Sequence, residues 1–202
     1  NLCPNKEFNN PGENLKGYKK TRTVEWAFDN LMSFRNKVHN HEIERAQIPN
    51  QLEKKRIKHI PQGRSIRYER DEKELLPKKL WFDHDWQTIS EKRFREAKLV
   101  RLDKEMPSPT IVTDGRRYYH PTEDRYLTVR EGAALQSFPA NFVFSGAVTN
   151  MWTQIGNAVP PLLAKAIGKS IMEMHKNRKK KIELDKVRDI ELMRSIAFKY
   201  SE

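Results

Sequence analysis

Arg125-Tyr126-Leu127-Thr128-Val129-Arg130-Glu131 is the most readable stretch of the 202-residue chain. Thr128 and Glu131 stand at the spacing of a capping box. The Thr hydroxyl can accept from the Glu131 amide, and the Glu carboxylate can reach back to the Thr128 amide. The spacing predicts a helix from Thr128 to about Gln136, ending before Pro139. A loop is expected next, and then Gln154-Ile155-Gly156-Asn157-Ala158-Val159-Pro160-Pro161. Paired prolines suit a first helical turn, where missing N–H groups cost nothing. Leu163, Ala164, Ile167, Ile171 and Met174 then form one apolar stripe, which predicts a helix buried along one side. The basic run from Lys176 to Lys181 ends it. A last amphipathic helix is expected over about 183–198, on Leu184, Val187, Ile190, Met193 and Ile196.

Upstream, residues 1–20 are rich in Asn, Lys, Gly and Pro and read as a loop. Val24, Ala27, Phe28 and Leu31 predict a helix within 21–34, with Thr23 as its cap. Leu52, Ile57 and Ile60 predict a second one over 50–60, stopped by Pro61-Gln62-Gly63. Residues 71–100 read as irregular, with Trp81, Phe82, Trp86 and Phe94 scattered among charges. Short strands are expected at Lys98–Leu102 and Thr110–Thr113. Met106-Pro107-Ser108-Pro109 runs extended between them, and Asp114-Gly115 makes a turn.

Lys and Arg number 39 against 27 Asp and Glu, a net charge of +12. That excess points to a polyanionic partner, nucleic acid first and an anionic membrane surface second. No apolar run is long enough to span a membrane. The single cysteine, Cys3, permits neither an internal disulfide nor a cysteine-based zinc cluster. The six His show no metal-ligand spacing, and His39 and His41 read as surface residues. Residues 51–70 hold Lys54, Lys55, Arg56, Lys58, Arg64, Arg67 and Arg70 against two Glu. This run is either a solvated face or a phosphate-contacting surface.

The stretch from Arg125 to Glu131, continued by Leu135-Gln136-Ser137-Phe138-Pro139, resembles motif IX of DNA cytosine-5 methyltransferases. Gln154 to Pro161, continued by Leu162-Leu163-Ala164, resembles motif X, in the same order and at the same spacing. Pro107-Ser108-Pro109-Thr110-Ile111 resembles the Thr-Ile element near the end of the family's target-recognition domain. Thr21 to Leu31 resembles the segment after motif VIII. Gly132 and Ala134 depart from the pattern, which more often has Ala and a larger residue there. The resemblance implies an α/β protein, or α+β when this piece is seen alone. A small irregular target-recognition domain would cover 21–122, after the loop of 1–20. A motif IX hinge would cover 123–155. The motif X helix and a basic C-terminal helix, 156–202, would pack on a Rossmann-like methyltransferase domain.

The family's Gly-rich loop, Pro-Cys nucleophile, Glu-Asn-Val triplet and Gln-x-Arg-x-Arg strand are not in this sequence. Cys3-Pro4 has the reverse order in a polar loop. Glu13-Asn14-Leu15 imitates the triplet but follows Asn-Pro-Gly rather than an apolar strand. The chain lacks an initiating Met and reads as a fragment or as one subunit of a split enzyme. The implied reaction adds a cysteine thiolate to C6 of a flipped cytosine, with a glutamate at N3, so that C5 takes the methyl group of S-adenosylmethionine. No catalytic residue is expected here, and this chain alone is expected to be inactive. The nucleophile would lie in an N-terminal catalytic part, in cis or on a separate subunit. The setting would be a restriction-modification system in bacterial cytoplasm, at the nucleoid.

What remains for this chain is recognition of double-stranded DNA. Arg64, Arg67, Arg116 and Arg117 are the candidates for base edges and phosphates. Thr110 either contacts the DNA backbone, as the resemblance implies, or is an ordinary strand residue. Tyr118 and Tyr119 either join the interface or pack inside. Asn157 and Val159 would sit at a helix N-terminus facing the methionine carboxylate of the cofactor, although Asn157 could equally be a plain cap. Thr128, Arg130 and Glu131 read as scaffold. The competing reading is a non-catalytic basic DNA-binding module. An RNA-binding protein would be expected to carry an aromatic signature of the RRM type, which is not found.

Overall fold

A computed structural model describes residues 21–34 and 38–177. The expected N-terminal loop, Cys3, Glu13 to Leu15 and the helix over 183–198 lie outside the described residues. Helix α1, Val24–Met32, starts where expected, with the Thr23 hydroxyl accepting from the Trp26 amide at 3.2 Å. Asn50 caps α2, Gln51–Ile57, by accepting from the Leu52 and Glu53 amides at 2.9 and 3.1 Å.

The region expected to be irregular is more ordered than its sequence suggests. Strand β1, Ile66–Tyr68, runs directly into α3, Glu69–Leu75. The Asp71 carboxylate accepts from the Arg67 and Tyr68 amides at 3.0 and 2.9 Å and so makes the strand-to-helix corner. Strand β2, Arg93–Lys98, pairs antiparallel with β1. The strand expected at 98–102 is broken at Leu99, whose φ of 52° ends β2 before β3, Val100–Arg101. The strand expected at 110–113 does not form. Strand β4 is instead Tyr118–Tyr119, parallel to β3.

Helix α4, Val129–Leu135, has both halves of its capping box in place. The expected loop before motif X holds only as far as Ala147; its last residues and the start of motif X form a helix, α5, Val148–Asn157, burying Met151, Trp152 and Ile155. Helix α6 follows at Pro161–Asn177. Its stripe is present but exposed rather than buried: Leu163, Ala164, Ile167, Ile171 and Met174 all face solvent. The apolar period predicts the helix correctly; a cover for it is missing among the described residues. Residues 21–164 belong to one compact unit, and the described residues from Lys165 onward belong to a second.

Within 21–164 there are two cores, and a short wall divides them. The first gathers Val24, Leu102, Ile111, Tyr118, Leu127, Val129, Met151, Trp152 and Ile155 among its members. The second gathers Ile48, Ile57, Ile66, Leu80, Trp86, Phe94, Leu99, Tyr119 and Tyr126. The wall consists of β3, β4 and residues 126–127. Extended backbone alternates its side chains, so neighbours point to opposite sides. Tyr118 and Leu127 enter the first core, while Tyr119 and Tyr126 enter the second. Both tyrosines of β4 are therefore packing residues, although the Tyr118 hydroxyl still donates to the Thr110 carbonyl at 2.6 Å.

Candidate nucleic-acid interface and cofactor edge

The motif IX segment is a buried polar frame. Glu131 is paired with Arg125 through two bonds of 2.8 Å, and both side chains are almost wholly buried. Thr128 closes the box, donating its amide to Glu131 at 2.8 Å and accepting from the Glu131 amide at 3.1 Å. Burial alone would raise the Glu131 pKa, but the Arg125 guanidinium and the Thr128 amide hold it below the usual carboxylate value. His120 lies beside this pair, stacked on Phe28 with ring centroids 5.4 Å apart. Burial and the Arg125 charge push its pKa below the ordinary 6.5. Its Nδ1 accepts from the Glu123 amide at 3.1 Å, which fits a neutral ring. The 3.8 Å approach of its Nε2 to Glu131 is therefore not an ion pair at neutral pH.

Arg130 is fully buried yet bonds no carboxylate among the described residues. Its guanidinium donates to the carbonyls of His39 at 2.9 Å, Pro139 at 3.1 Å and Phe142. Asn40 completes the junction, accepting from the Phe144 amide at 3.0 Å. His41 sits 2.9 Å from the Thr128 hydroxyl. His39 and His41, expected at the surface, are both half-buried; His39 joins this frame through its main-chain carbonyl and His41 through its ring. Their neighbourhood in sequence is polar, and only the distant partners Thr128 and Arg130 draw them in.

Loop 110–117 is clasped from behind by α5. A Cβ at Gly115 would lie 2.1 Å from Trp152 Nε1, and one at Gly132 would lie 2.3 Å from Trp152 Cη2. The indole is sandwiched between the two glycines. One turn on, a Cβ at Gly156 would lie 2.5 Å from the Thr113 backbone nitrogen. Gly132, which departs from the family pattern, thus has a steric cause: the Trp152 ring leaves no room for Ala. Nothing in the local sequence around Gly132 signals a tryptophan twenty positions later.

The expected DNA-contacting residues fall on two segments. Thr110 and Arg116 are exposed on the clasped loop, and the Arg116 amide donates to Asp114 at 2.9 Å. A cleft of about 290 Å³ opens beside Arg116, with Arg45, Asp114, Thr149 and Trp152 also on its walls. Arg117 is engaged with Glu96 at 2.5 Å. Arg64 precedes β1 and pairs with Glu74 at 2.9 Å. Arg67 lies within β1, with a buried Nε that has no hydrogen-bond partner.

Asn157 and Val159 are both exposed; Val159 lies two residues before α6, but Asn157 is not at a helix N-terminus. Asn157 is the last residue of α5 and caps nothing in α6. Pro160 and Pro161 have no N–H, and the Leu162 amide already donates to the Ser137 hydroxyl at 3.1 Å. The paired prolines that start the helix also remove the donors an anion would need. Among the described residues no cluster of His, Cys, Asp and Glu could hold a metal ion, and no helix is long and apolar enough to cross a membrane.

Comparison with known proteins identifies the family. The profile of the C-5 cytosine-specific DNA methylase family matches residues 4–173. The chain belongs to that family. It is 48% identical over 80 residues to the type II methyltransferase M1.HphI of Haemophilus parahaemolyticus, covering 40% of this chain and 22% of that protein. It is 46% identical over 85 residues to the type II methyltransferase M.AquIB of Picosynechococcus, covering 36% of this chain and 61% of that protein. DNA (cytosine-5)-methyltransferase 1B of Oryza sativa is 47% identical over 79 residues, 36% of this chain and 5% of that protein. The matched stretch is thus less than two thirds of each of these relatives.

Proposed function

We propose that this chain is the target-recognition and C-terminal part of a DNA cytosine-5 methyltransferase acting on double-stranded DNA, in a restriction-modification setting. The carrying observation is the clasp. Helix α5, which enters motif X, holds loop 112–115 through Trp152 and Gly156 and so sets the exposed Thr110 and Arg116 on a fixed platform. Fixed polar and cationic side chains on an exposed loop are what base-edge and phosphate contacts require. Arg116 is the strongest candidate for a base or phosphate, because its charge is not engaged by a carboxylate, whereas those of Arg117 and Arg64 are.

The family uses S-adenosylmethionine as methyl donor. The residues present fit one edge of such a site: an exposed amide at Asn157 and an exposed apolar side chain at Val159, two positions apart. They would border the cofactor by hydrogen bond and by van der Waals contact, without the helix-dipole contribution. The cofactor would supply the methyl group. This chain's part would be to orient the DNA, with Thr128, Arg130 and Glu131 as scaffold for the recognition loop.

The test is reconstitution. The purified 202 residues should transfer no labelled methyl group to duplex DNA. Transfer should appear when a catalytic part bearing Pro-Cys and the Gly-rich loop is added in trans. Duplex binding without any transfer on reconstitution would instead favour a non-catalytic DNA-binding module. Methyl transfer by these residues alone would overturn the assignment of the nucleophile elsewhere.

A further inference from the structure

By its charges alone the basic run at 51–70 is either a solvated face or a phosphate surface, and the structure separates its members. Arg56 is neither: its guanidinium donates to the Leu80 and Trp81 carbonyls at 2.7 Å each. That clamp holds the short 3₁₀ turn Lys78–Leu80 against α2. Between the two elements lies an open groove of about 380 Å³, lined by Leu52, Lys55, Lys58, His59, Lys79 and Leu80. No acid lines it. Lys55, Lys58, His59 and Lys79 are exposed, and no ion pair to any of them is formed among the described residues. Several surface cations outside it are matched, Arg64 with Glu74, Lys73 with Glu69, Arg93 with Glu91, Lys104 with Glu25 and Arg117 with Glu96, while others such as Arg95 and Arg116 form no ion pair among the described residues and do not gather in a groove that no acid lines.

We infer that this groove is a second contact of the recognition domain with duplex DNA, gripping the sugar-phosphate backbone away from the Thr110–Arg116 loop. The inference rests on the DNA-binding reading above. Three ammonium groups whose charge is not quenched by a carboxylate offer the full counterion-release gain on meeting phosphates. A cation already paired with a carboxylate must give up that partner first. Leu52 and Leu80 line the groove with apolar surface along which lysine stems can lie while the charged ends stay in water. The Arg56 clamp fixes Lys79 relative to Lys55 and Lys58, so the array is built into the fold. The groove and the 290 Å³ cleft have no lining residue in common, so the two surfaces can be varied independently. Phosphates carry no sequence information directly, so this grip adds affinity and register.

The experiment measures binding of the full chain to a labelled duplex of arbitrary sequence across a salt series. The Lys55→Gln, Lys58→Gln, Lys79→Gln triple variant should lower the slope of log K against log salt by about 2 to 3, close to 0.9 for each phosphate no longer neutralised. A control triple of matched cations, Lys73→Gln, Arg93→Gln, Lys104→Gln, removes the same charge and should change the slope by less than half as much. Should the groove triple not fold, Lys79→Gln alone should still lower the slope by about 0.9. Equal slope changes in the groove and control triples would overturn the groove as a site while leaving the DNA-binding reading intact. So would a groove triple that weakens RNA binding and leaves duplex DNA untouched. Failure of the unmodified chain to bind duplex DNA at all would remove the reading and the inference together.

Discussion

The two cores of residues 21–164 are held together in different ways. The first is a helical core, in which α1, α4 and α5 each bury one face. Its polar members form a closed box around Glu131 and a hub around Arg130. The second has only short elements, and side chains that grip distant backbone join them. Arg56 holds the carbonyls of residues 80 and 81. Buried Glu72 accepts from the Trp86 indole at 2.8 Å and from the Phe82 amide. Glu53 takes the hydroxyls of both Tyr119 and Tyr126. The first core is built for a fixed frame; the second is an assembly of clamps whose loops can vary while the clamps hold.

The sharpest test of that contrast is the hub. Arg130→Met keeps the bulk of the fully buried side chain and leaves the carbonyls of His39, Pro139 and Phe142 without their shared donor. It should cost about 3–5 kcal/mol, as breaking a buried charged network does. Denaturant unfolding of the chain would measure it. In the second core, Arg56→Met should cost only about 1–2 kcal/mol, because it frees two carbonyls rather than three and removes a half-buried guanidinium rather than a fully buried one. Comparable losses at the two sites would erase the distinction between frame and clamps.

Next in size is the clasp. Gly132→Ala should destabilise by about 1–3 kcal/mol, because its Cβ collides with the Trp152 ring. Helix propensity alone would make the same change stabilising by about 1 kcal/mol. The sign of the change in unfolding midpoint therefore decides whether packing or propensity governs this position. Adding Trp152→Leu should remove the clash and recover part of the propensity gain.

In the second core, Glu72→Gln retains one acceptor where the carboxylate served two donors. A loss of about 1–2 kcal/mol is expected, with faster amide exchange at Phe82. Protection at Phe82 equal to that of the unmodified chain would mean that Glu72 is not what holds the 76–90 loop.

The smallest effect is titration. The His120 pKa is depressed in the fold, so below the ordinary value of 6.5 the unfolded chain binds protons that the folded chain refuses. Stability should be full above pH 6.5 and fall as the pH drops from there toward the lowered value. The slope cannot exceed about 1.4 kcal/mol per pH unit for one proton. Glu123 and Glu131, whose pKa values are also depressed, add losses only below their ordinary 4.5. His120→Asn keeps an acceptor for the Glu123 amide and should flatten the curve between about pH 5 and 6.5, read by thermal unfolding.

The contrast between the cores also explains what is legible in the residues alone. Thr128 and Glu131 are three positions apart, and Thr23 and Asn50 cap the helices that follow them, so these starts can be read locally. The break at Leu99, the corner made by Asp71 and the strand at Tyr118 depend on partners that no local period reveals. Helix α5 is hidden because its buried positions are few and the recognisable motif X string begins inside it. For the candidate DNA-binding residues, the charge excess singles out only residue types. It cannot tell Arg116, which forms no ion pair among the described residues, from Arg64 and Arg117, which do, because pairing is a property of the fold.

The indole wedged between Gly115 and Gly132 also bears on how such proteins can be recombined. On the reading proposed above, residues 21–122 form the recognition segment, the natural unit to graft between members of the family. In this chain one glycine of the sandwich precedes residue 122, while the other glycine and the tryptophan follow it. A graft of residues 21–122 alone would bring a foreign residue 115 against the resident Trp152. Donor and host are interchangeable at that joint only if position 115 is glycine in both, or if residues 115, 132 and 152 travel together.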